Sequence, residues 1–152
     1  FQVTTAGEMA RACRKVFAKC EIAVLAAAGC DYRPIKRARL KTPKHTRPWH
    51  LALEPTEDIA ASLGRRKGRH LLVCFALEDH SGRQHAQEKL VAKHCDMIIL
   101  NGPKNIDSDQ ATVELFSPDQ GWYGPVKGLK SSVAGRIVLA IERMAFERGQ
   151  AR

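Results

Sequence analysis

The sequence has no apolar run that approaches the about 18 residues of a membrane-spanning helix, and it does not open with a secretory signal pattern. Its five cysteines include no Cys-x-x-Cys pair and mostly lie in apolar runs, which is typical of reduced core residues in a cytoplasmic protein. The histidines are scattered, and the neighbours His80 and His85 have no cysteine nearby, which argues against a zinc site. The chain begins at Phe1 without a methionine, so we expect residues 1–152 to be one domain truncated at its N-terminus.

Acidic residues are outnumbered by basic ones, 16 against 25, which gives a formal charge of +9. Such a balance favours an anionic partner, either nucleic acid, a membrane surface or a phosphorylated small molecule. The cations at 65–69 close a predicted helix, where they complement the helix dipole. A second group of cations lies in one loop that contains prolines and few aromatic residues. It consists of Arg33, Lys36, Arg37, Arg39, Lys41, Lys44 and Arg47.

The apolar run that begins at Ile22 is short enough for a buried strand, narrows to the alanines 26–28 and stops at a polar turn around Asp31. Ligands of open parallel sheets bind beyond the carboxyl ends of strands, and alanine lets a flat group approach the backbone. An aspartate at that place can hold Mg²⁺, accept a hydroxyl hydrogen bond or orient a base. The alternative is an ordinary Asp-containing turn after a strand.

Strands and helices alternate along the chain, which predicts a three-layer α/β/α sandwich around a Rossmann-like, mainly parallel sheet. Capping boxes are predicted at Thr5–Glu8 and 81–84, and Thr56 is the predicted N-cap of a helix that ends near Gly68. The inner side of the third helix is assigned to Ala86, Leu90 and Val91, and that of the last to Val133, Ile137, Ile141 and Met144. Beside the alanine-containing strand, further strands are predicted at 3–5, 49–53, 71–77, 97–100 and, as an edge strand, 112–116.

Several stretches in register resemble the phosphopantothenoylcysteine synthetase domain, the C-terminal part of the bacterial DNA/pantothenate metabolism flavoprotein family. Each motif alone is weak, but together they cover nearly the whole chain in the family's order. They are Thr5-Ala6-x-Glu8-Met9, Ala26-Ala27-Ala28-x-x-Asp31-Tyr32-Arg33-Pro34, Asp58-Ile59, Phe75-Ala76-x-Glu78, Ala86-x-x-Lys89-Leu90-x-x-Lys93-x-Cys95-Asp96-x-Ile98-x-x-Asn101 and Ser108-Asp109.

This resemblance implies a cytoplasmic, usually dimeric ligase of coenzyme A biosynthesis that joins 4'-phosphopantothenate to cysteine. In the bacterial family CTP and Mg²⁺ activate the carboxylate as an acyl-cytidylate, and ATP is a possible substitute for CTP. The chemistry requires cations on a triphosphate and a metal more than a protein nucleophile. A membrane partner is not implied, and nucleic acid is the less favoured partner.

The resemblance also implies a set of nucleotide-binding residues by position. Asp31 would contact the nucleotide or Mg²⁺, and Phe75 would pack on the base or ribose. Lys89 and Lys93 would reach the phosphates. For Phe75 the alternative is core packing, and for the lysines it is a solvated helix face. The full set is Leu25, Ala26, Ala27, Asp31, Glu57, Asp58, Ile59, Ala60, Phe75, Lys89 and Lys93.

The sequence departs from the family in the basic loop and at its start. The family's catalytic lysine in a Lys-x-Lys-Lys motif falls on either Lys41 or Arg39, depending on the alignment. The family's Gly-rich first turn and Ser-Asn-x-Ser-Ser-Gly segment either lie before Phe1 or do not exist, so we expect residues 1–152 alone to be inactive or only weakly active. The competing hypothesis is a non-catalytic module that binds nucleotides, or nucleic acid through the basic loop.

Overall fold

The computed structural model describes residues 1–27, 29–36, 38, 40–44 and 46–150. The elements in chain order are α1 (Ala6–Phe17), β1 (Ile22–Leu25), β2 (Tyr32–Pro34), β3 (Leu53–Pro55), α2 (Ile59–Gly64), β4 (Leu71–Leu77), α3 (Gly82–Ala92), β5 (Met97–Asn101), a 3₁₀ turn (Pro103–Asn105), β6 (Gln110–Ser117), β7 (Gly121–Leu129) and α4 (Lys130–Gln150).

Five strands form the main sheet in the order β1-β4-β5-β6-β7, while β2 and β3 form a small antiparallel hairpin. The pairs β1–β4 and β4–β5 are parallel, and the pairs β5–β6 and β6–β7 are antiparallel. The sheet is therefore mixed, and the expectation of a mainly parallel sheet is corrected. The physical reason is connection length: a parallel pair needs a long crossover, whereas only the 3₁₀ turn and a tight turn connect the last three strands.

Helices cover both faces of the sheet, which confirms the three layers. On one face, α4 packs on alternate strand residues such as Val73 and Ile99. On the other face, α1, α2 and α3 pack on the intervening residues, among them Leu72 and Ile98. The four apolar residues predicted for the inner side of the last helix, from Val133 to Met144, are all buried. Of the described helices, none combines the length and the apolarity that a bilayer span requires.

The first helix begins at the predicted capping box. The Glu8 amide donates to Thr5 Oγ1 at 3.2 Å, and the Thr5 amide donates to Glu8 Oε2 at 3.1 Å. The Thr4 amide donates to the same carboxylate at 2.8 Å. Residues 3–5 form no strand, contrary to the prediction, because these two amides serve the helix N-terminus rather than a strand ladder.

Three other predicted boundaries are wrong. The strand expected at 49–53 is the short β3, which begins only at Leu53. Asp58 rather than Thr56 caps α2, because the Asp58 carboxylate accepts the Ala61 amide at 2.9 Å, and the helix already ends at Gly64.

The capping box expected at Ser81 does not form. Ser81 has a left-handed backbone (φ 49°), and its side chain makes no capping hydrogen bond. The helix that follows, α3, buries Ala86 and Leu90 as expected, but Val91 is 69 % exposed, so its place on the inner side is corrected.

Strand β6 is not an edge strand, because β7 pairs with it along its length. Strand β7 was not predicted from the sequence, because it contains several glycines and a proline. The backbone conformation requires one of these glycines. Gly124 has φ +121°, and a Cβ there would lie 3.1 Å from the Val113 carbonyl oxygen, beside the register shift between Val113 and Leu115.

Candidate functional site

A cavity of about 170 Å³ opens at the carboxyl ends of β1 and β4. Its walls come from α1, the turn after β1, the segment that leads into α2, β4 and the end of α3. The lining residues are Ala6, Met9, Leu25, Ala27, Gly29, Cys30, Asp31, Thr56, Glu57, Asp58, Ile59, Ala60, Cys74, Phe75 and Lys93.

The turn after β1 is held in place by Thr56. The Thr56 amide donates to the Asp31 carbonyl oxygen at 2.8 Å, and the Thr56 hydroxyl donates to the Cys30 carbonyl oxygen at 2.5 Å. Ala27 and Gly29 line the cavity and place almost no side chain in it, so a ligand can approach the backbone of this turn. The arrangement leaves the exposed Asp31 at the cavity wall, beyond the end of β1.

An ion pair at the cavity joins the N-terminus of α2 to the C-terminus of α3. Lys93 caps the C-terminus of α3, and its Nζ lies 3.4 Å from Asp58 Oδ2. The Lys93 side chain is 31 % exposed, so the ammonium reaches both the carboxylate and the solvent-filled opening. An anionic ligand group would find a positive charge there that Asp58 already orients.

Glu57 is a third acidic side chain of the cavity, beside Asp31 and Asp58. Arg14 of α1 donates to Glu57 Oε1 at 2.5 Å. Hydrogen bonds from Arg14 and then Ser62 lower the pKa of Glu57 below its ordinary value, so the carboxylate stays ionised at neutral pH.

All but two of the predicted nucleotide-binding residues line this one cavity, although their roles stay predictions. The exceptions are Ala26 and Lys89. Lys41 is exposed and does not line the cavity. Arg39 lies outside the described residues, together with Arg37 and Ala28.

Lys89 points to a different carboxylate. Its ammonium is paired with Glu78, whose side chain is only 10 % exposed, and His85 Nδ1 lies 3.3 Å from the same carboxylate. Asp31 and Phe75 therefore share the cavity, whereas Lys89 is not among its lining residues, and its ammonium is paired with Glu78.

Several lining residues were not singled out from the sequence. Ala6 and Met9 belong to a motif that carries the family resemblance, and that motif was the available signal for them. Cys74 had no such signal, and Thr56 was predicted only as a helix N-cap. Cys74 reads as an ordinary strand residue, and the hydrogen bonds of Thr56 reach residues far away in the chain.

The carboxylate chemistry of the site fits Mg²⁺ only together with a ligand. Among the described residues, no three His, Cys, Asp or Glu side chains cluster closely enough to hold a metal ion. Protein-bound Mg²⁺ is usually held by one or two carboxylates, with phosphates and water as its other ligands. Asp31 could supply one such carboxylate from the cavity wall.

Residues 1–144 match the family described as the DNA/pantothenate metabolism flavoprotein C-terminal domain. Over 104 residues, 68 % of this chain and 29 % of the relative, the chain is 42 % identical to a cysteine/cysteine sulfinic acid decarboxylase from an unknown prokaryotic organism. Over 121 residues, 77 % of this chain and 30 % of the relative, it is 31 % identical to the coenzyme A biosynthesis bifunctional protein CoaBC of Bacillus subtilis (strain 168). The chain thus spans less than a third of the length of these two relatives.

A solved structure shows the same fold. The crystal structure of the C-terminal domain of a CoaBC protein superposes with a TM-score of 0.79 at 26 % identity, and it covers 97 % of this chain and 66 % of that chain.

Proposed function

The chain belongs to the DNA/pantothenate metabolism flavoprotein C-terminal domain family, and from this premise we propose that it is the CTP-binding part of a phosphopantothenate–cysteine ligase. In this proposal the cavity at the ends of β1 and β4 takes the nucleotide. The reaction joins the carboxylate of 4'-phosphopantothenate to the amine of cysteine.

The observation that carries the proposal is the clustering of the family-matched residues in one cavity. They come from distant parts of the chain, from Leu25 to Lys93, and meet at the place where α/β sheets bind ligands. The cavity of about 170 Å³ is smaller than the roughly 300–1,000 Å³ of common ligand pockets, so it suits a part of a nucleotide such as the base.

The proposed roles follow from the side chains. Phe75 supplies a flat face for the base or ribose, and Lys93 supplies a positive charge for a phosphate. Asp31 would hold Mg²⁺, which would neutralise charge on the triphosphate. The substrate carboxylate attacks the α-phosphorus and releases pyrophosphate; the cysteine amine then attacks the acyl carbon, loses a proton and releases CMP.

A melting-temperature assay tests the binding step. CTP with Mg²⁺ is expected to raise the Tm more than ATP or GTP, because the proposed site is a CTP site. A ligand that binds only the folded state, at about 100 times its Kd, adds about 2.7 kcal/mol of stability. Single-stranded DNA of matched phosphate concentration is the control. Equal shifts for all nucleotides and DNA, lost steeply as salt rises, would instead identify a polyanion binder.

Turnover is a separate test. We propose that the complete reaction depends on parts of the relatives that this chain does not span, and also on a basic residue at Lys41 or Arg39. With CTP, Mg²⁺, 4'-phosphopantothenate and cysteine, the chain is therefore expected to release little pyrophosphate. Rapid release would contradict that dependence, while it would support the ligase assignment.

A further inference from the structure

Two thiols meet beneath the candidate cavity. Cys74 in β4 and Cys95, just before β5, place their sulfur atoms 2.7 Å apart. Both residues are buried, with 3 % and 5 % exposure, and Cys74 is also a lining residue of the cavity. The pair thus combines close sulfur contact with a route to solvent.

We propose that Cys74 and Cys95 form an oxidative modification site that closes a reversible disulfide when hydrogen peroxide reaches the cavity. This inference goes beyond the proposed ligase function and needs no nucleotide.

The charges around the pair give the two sulfurs different roles. The hydrogen bond with Cys74 is the main cause that lowers the pKa of Cys95, and the positive charges of Lys93 and Lys67 add to it, whereas burial and the charge of Asp96 oppose it. The same hydrogen bond, burial and the charge of Asp58 raise the pKa of Cys74. Cys95 is therefore the more acidic thiol of the pair and the proposed nucleophile, and Cys74 holds its proton more firmly.

The reaction balances with peroxide as the oxidant. The Cys95 thiolate attacks one peroxide oxygen, the O–O bond breaks, and a sulfenic acid and hydroxide form. The Cys74 sulfur then attacks the sulfenic sulfur, the S–O bond breaks, and the released hydroxide and the thiol proton leave as water. In total, two thiols lose two hydrogens and one peroxide becomes two waters.

The disulfide would alter the cavity itself. Cys95 Sγ lies 4.0 Å from the carbonyl oxygen of Lys93, the residue whose ammonium faces Asp58. A covalent bond between the two sulfurs would fix this turn to β4 and shift the lining at Cys74.

Peptide mapping without reduction tests the site. After treatment of the chain with hydrogen peroxide, the peptides that contain Cys74 and Cys95 are expected to appear joined, two hydrogens lighter than the free pair. Dithiothreitol is expected to separate them again. Cys95→Ser should abolish the joined species, while Cys30→Ser, at the exposed cysteine of the cavity wall, should leave it unchanged.

Three outcomes would overturn the proposal: both thiols remain free to alkylation after unfolding, Cys30 replaces one of them in the disulfide, or Cys95 becomes a sulfinic acid. Cys95→Ala and Cys74→Ala, checked by circular dichroism, serve as second variants if serine disturbs the fold. A CTP titration before and after oxidation is a separate measurement, so a failure of nucleotide binding leaves the disulfide test intact.

Discussion

Lys93 and Lys89 differ at the scale of the residue, although they stand four positions apart. Lys93 is oriented by Asp58 at the cavity, and Lys89 is bound by Glu78 outside it. Equal roles for the two lysines on a phosphate would require Lys89 to leave a carboxylate that is only 10 % exposed. We therefore rank Lys93 above Lys89 as the proposed phosphate contact.

Replacing Lys93 with Gln tests this ranking. We expect Lys93→Gln to weaken CTP binding about 10- to 150-fold, because a hydrogen bond to a charged group contributes about 1.5–3 kcal/mol. Isothermal titration calorimetry measures the Kd. Lys89→Gln should weaken binding less, and Lys104→Gln, which removes the same charge from the 3₁₀ turn, is the matched control. A larger effect of Lys89→Gln would contradict the ranking.

Glu8 links a single residue to the acid stability of the protein. The backbone amides of Thr4 and then Thr5 lower the pKa of Glu8 below the ordinary 4.5. A carboxylate whose folded pKa is lowered stabilises the fold above its unfolded pKa and loses this contribution as the pH falls through the folded pKa.

Glu8→Gln should therefore reduce stability at neutral pH and show a smaller further loss than the wild type at about pH 3. Urea unfolding at both pH values measures this difference. Glu142→Gln, at an exposed position of α4, is the control and should keep the wild-type dependence on pH. Parallel loss in Glu8→Gln and the wild type would contradict the expectation.

At the scale of the element, α2 and α3 approach closely at one glycine. A Cβ on Gly64 would lie 1.9 Å from the carbonyl oxygen of Lys93 and 3.1 Å from the His94 Cβ. The last residue of α2 must therefore lack a side chain for the end of α3 to reach the cavity. This close packing places Lys93 opposite Asp58.

Gly64→Ala is expected to destabilise the protein by about 2–3 kcal/mol, because backbone must shift to admit the methyl group. It should also weaken CTP binding, since Lys93 would move. The matched control is Gly135→Ala on the exposed side of α4, where nothing lies within 4 Å of the added Cβ. That variant should gain about 0.5–1 kcal/mol from helix propensity. Urea unfolding of both variants measures the contrast, and equal stabilities would contradict it.

At the scale of the whole molecule, Asp96 connects both faces of the sheet. Its side chain is 3 % exposed and accepts hydrogen bonds from Lys67 Nζ at 2.6 Å and from Arg148 at the end of α4 at 2.5 Å. The Leu72 amide of β4 donates to its other oxygen at 2.8 Å. One carboxylate thus connects the segment after α2, the sheet and the last helix.

Asp96→Asn should cost about 2 kcal/mol of unfolding free energy. A buried ion pair that loses one partner costs about 3–5 kcal/mol, and the estimate is reduced because Lys67 and Arg148 are partly exposed. Chemical denaturation measures this free energy of unfolding. Asp107→Asn is the control, because Asp107 has φ +53°, which asparagine adopts readily, and its change should stay within about 0.5 kcal/mol. An equal effect of both variants would contradict the role of Asp96.

The family's usual homodimer stays a prediction for this chain.

The basic loop as a polyanion site also stays a prediction. Among the described cations of this loop, Arg33 is paired with Glu54 across the β2–β3 hairpin at 2.8 Å, which offsets part of the loop's charge.

Features that neighbours in the chain control were predictable from the sequence: the capping box at Thr5, the buried side of α4, and the strands that begin at Ile22, Leu71 and Met97. Asp31 and Phe75 were selected by the family resemblance instead. The capping box, the buried helix side and the strands follow from periodicity and from bonds between residues three or four apart, which leave a local signature.

Four features are visible only in the folded chain: the mixed sheet, strand β7 with its glycines, the separate ion pairs of Lys93 and Lys89, and the contact between Cys74 and Cys95. Each of these depends on a partner distant in sequence, such as the carboxylate of Glu78 or the strand β6 beside Gly124. Pairing between such groups is fixed by how the layers pack, and local patterns carry no record of it.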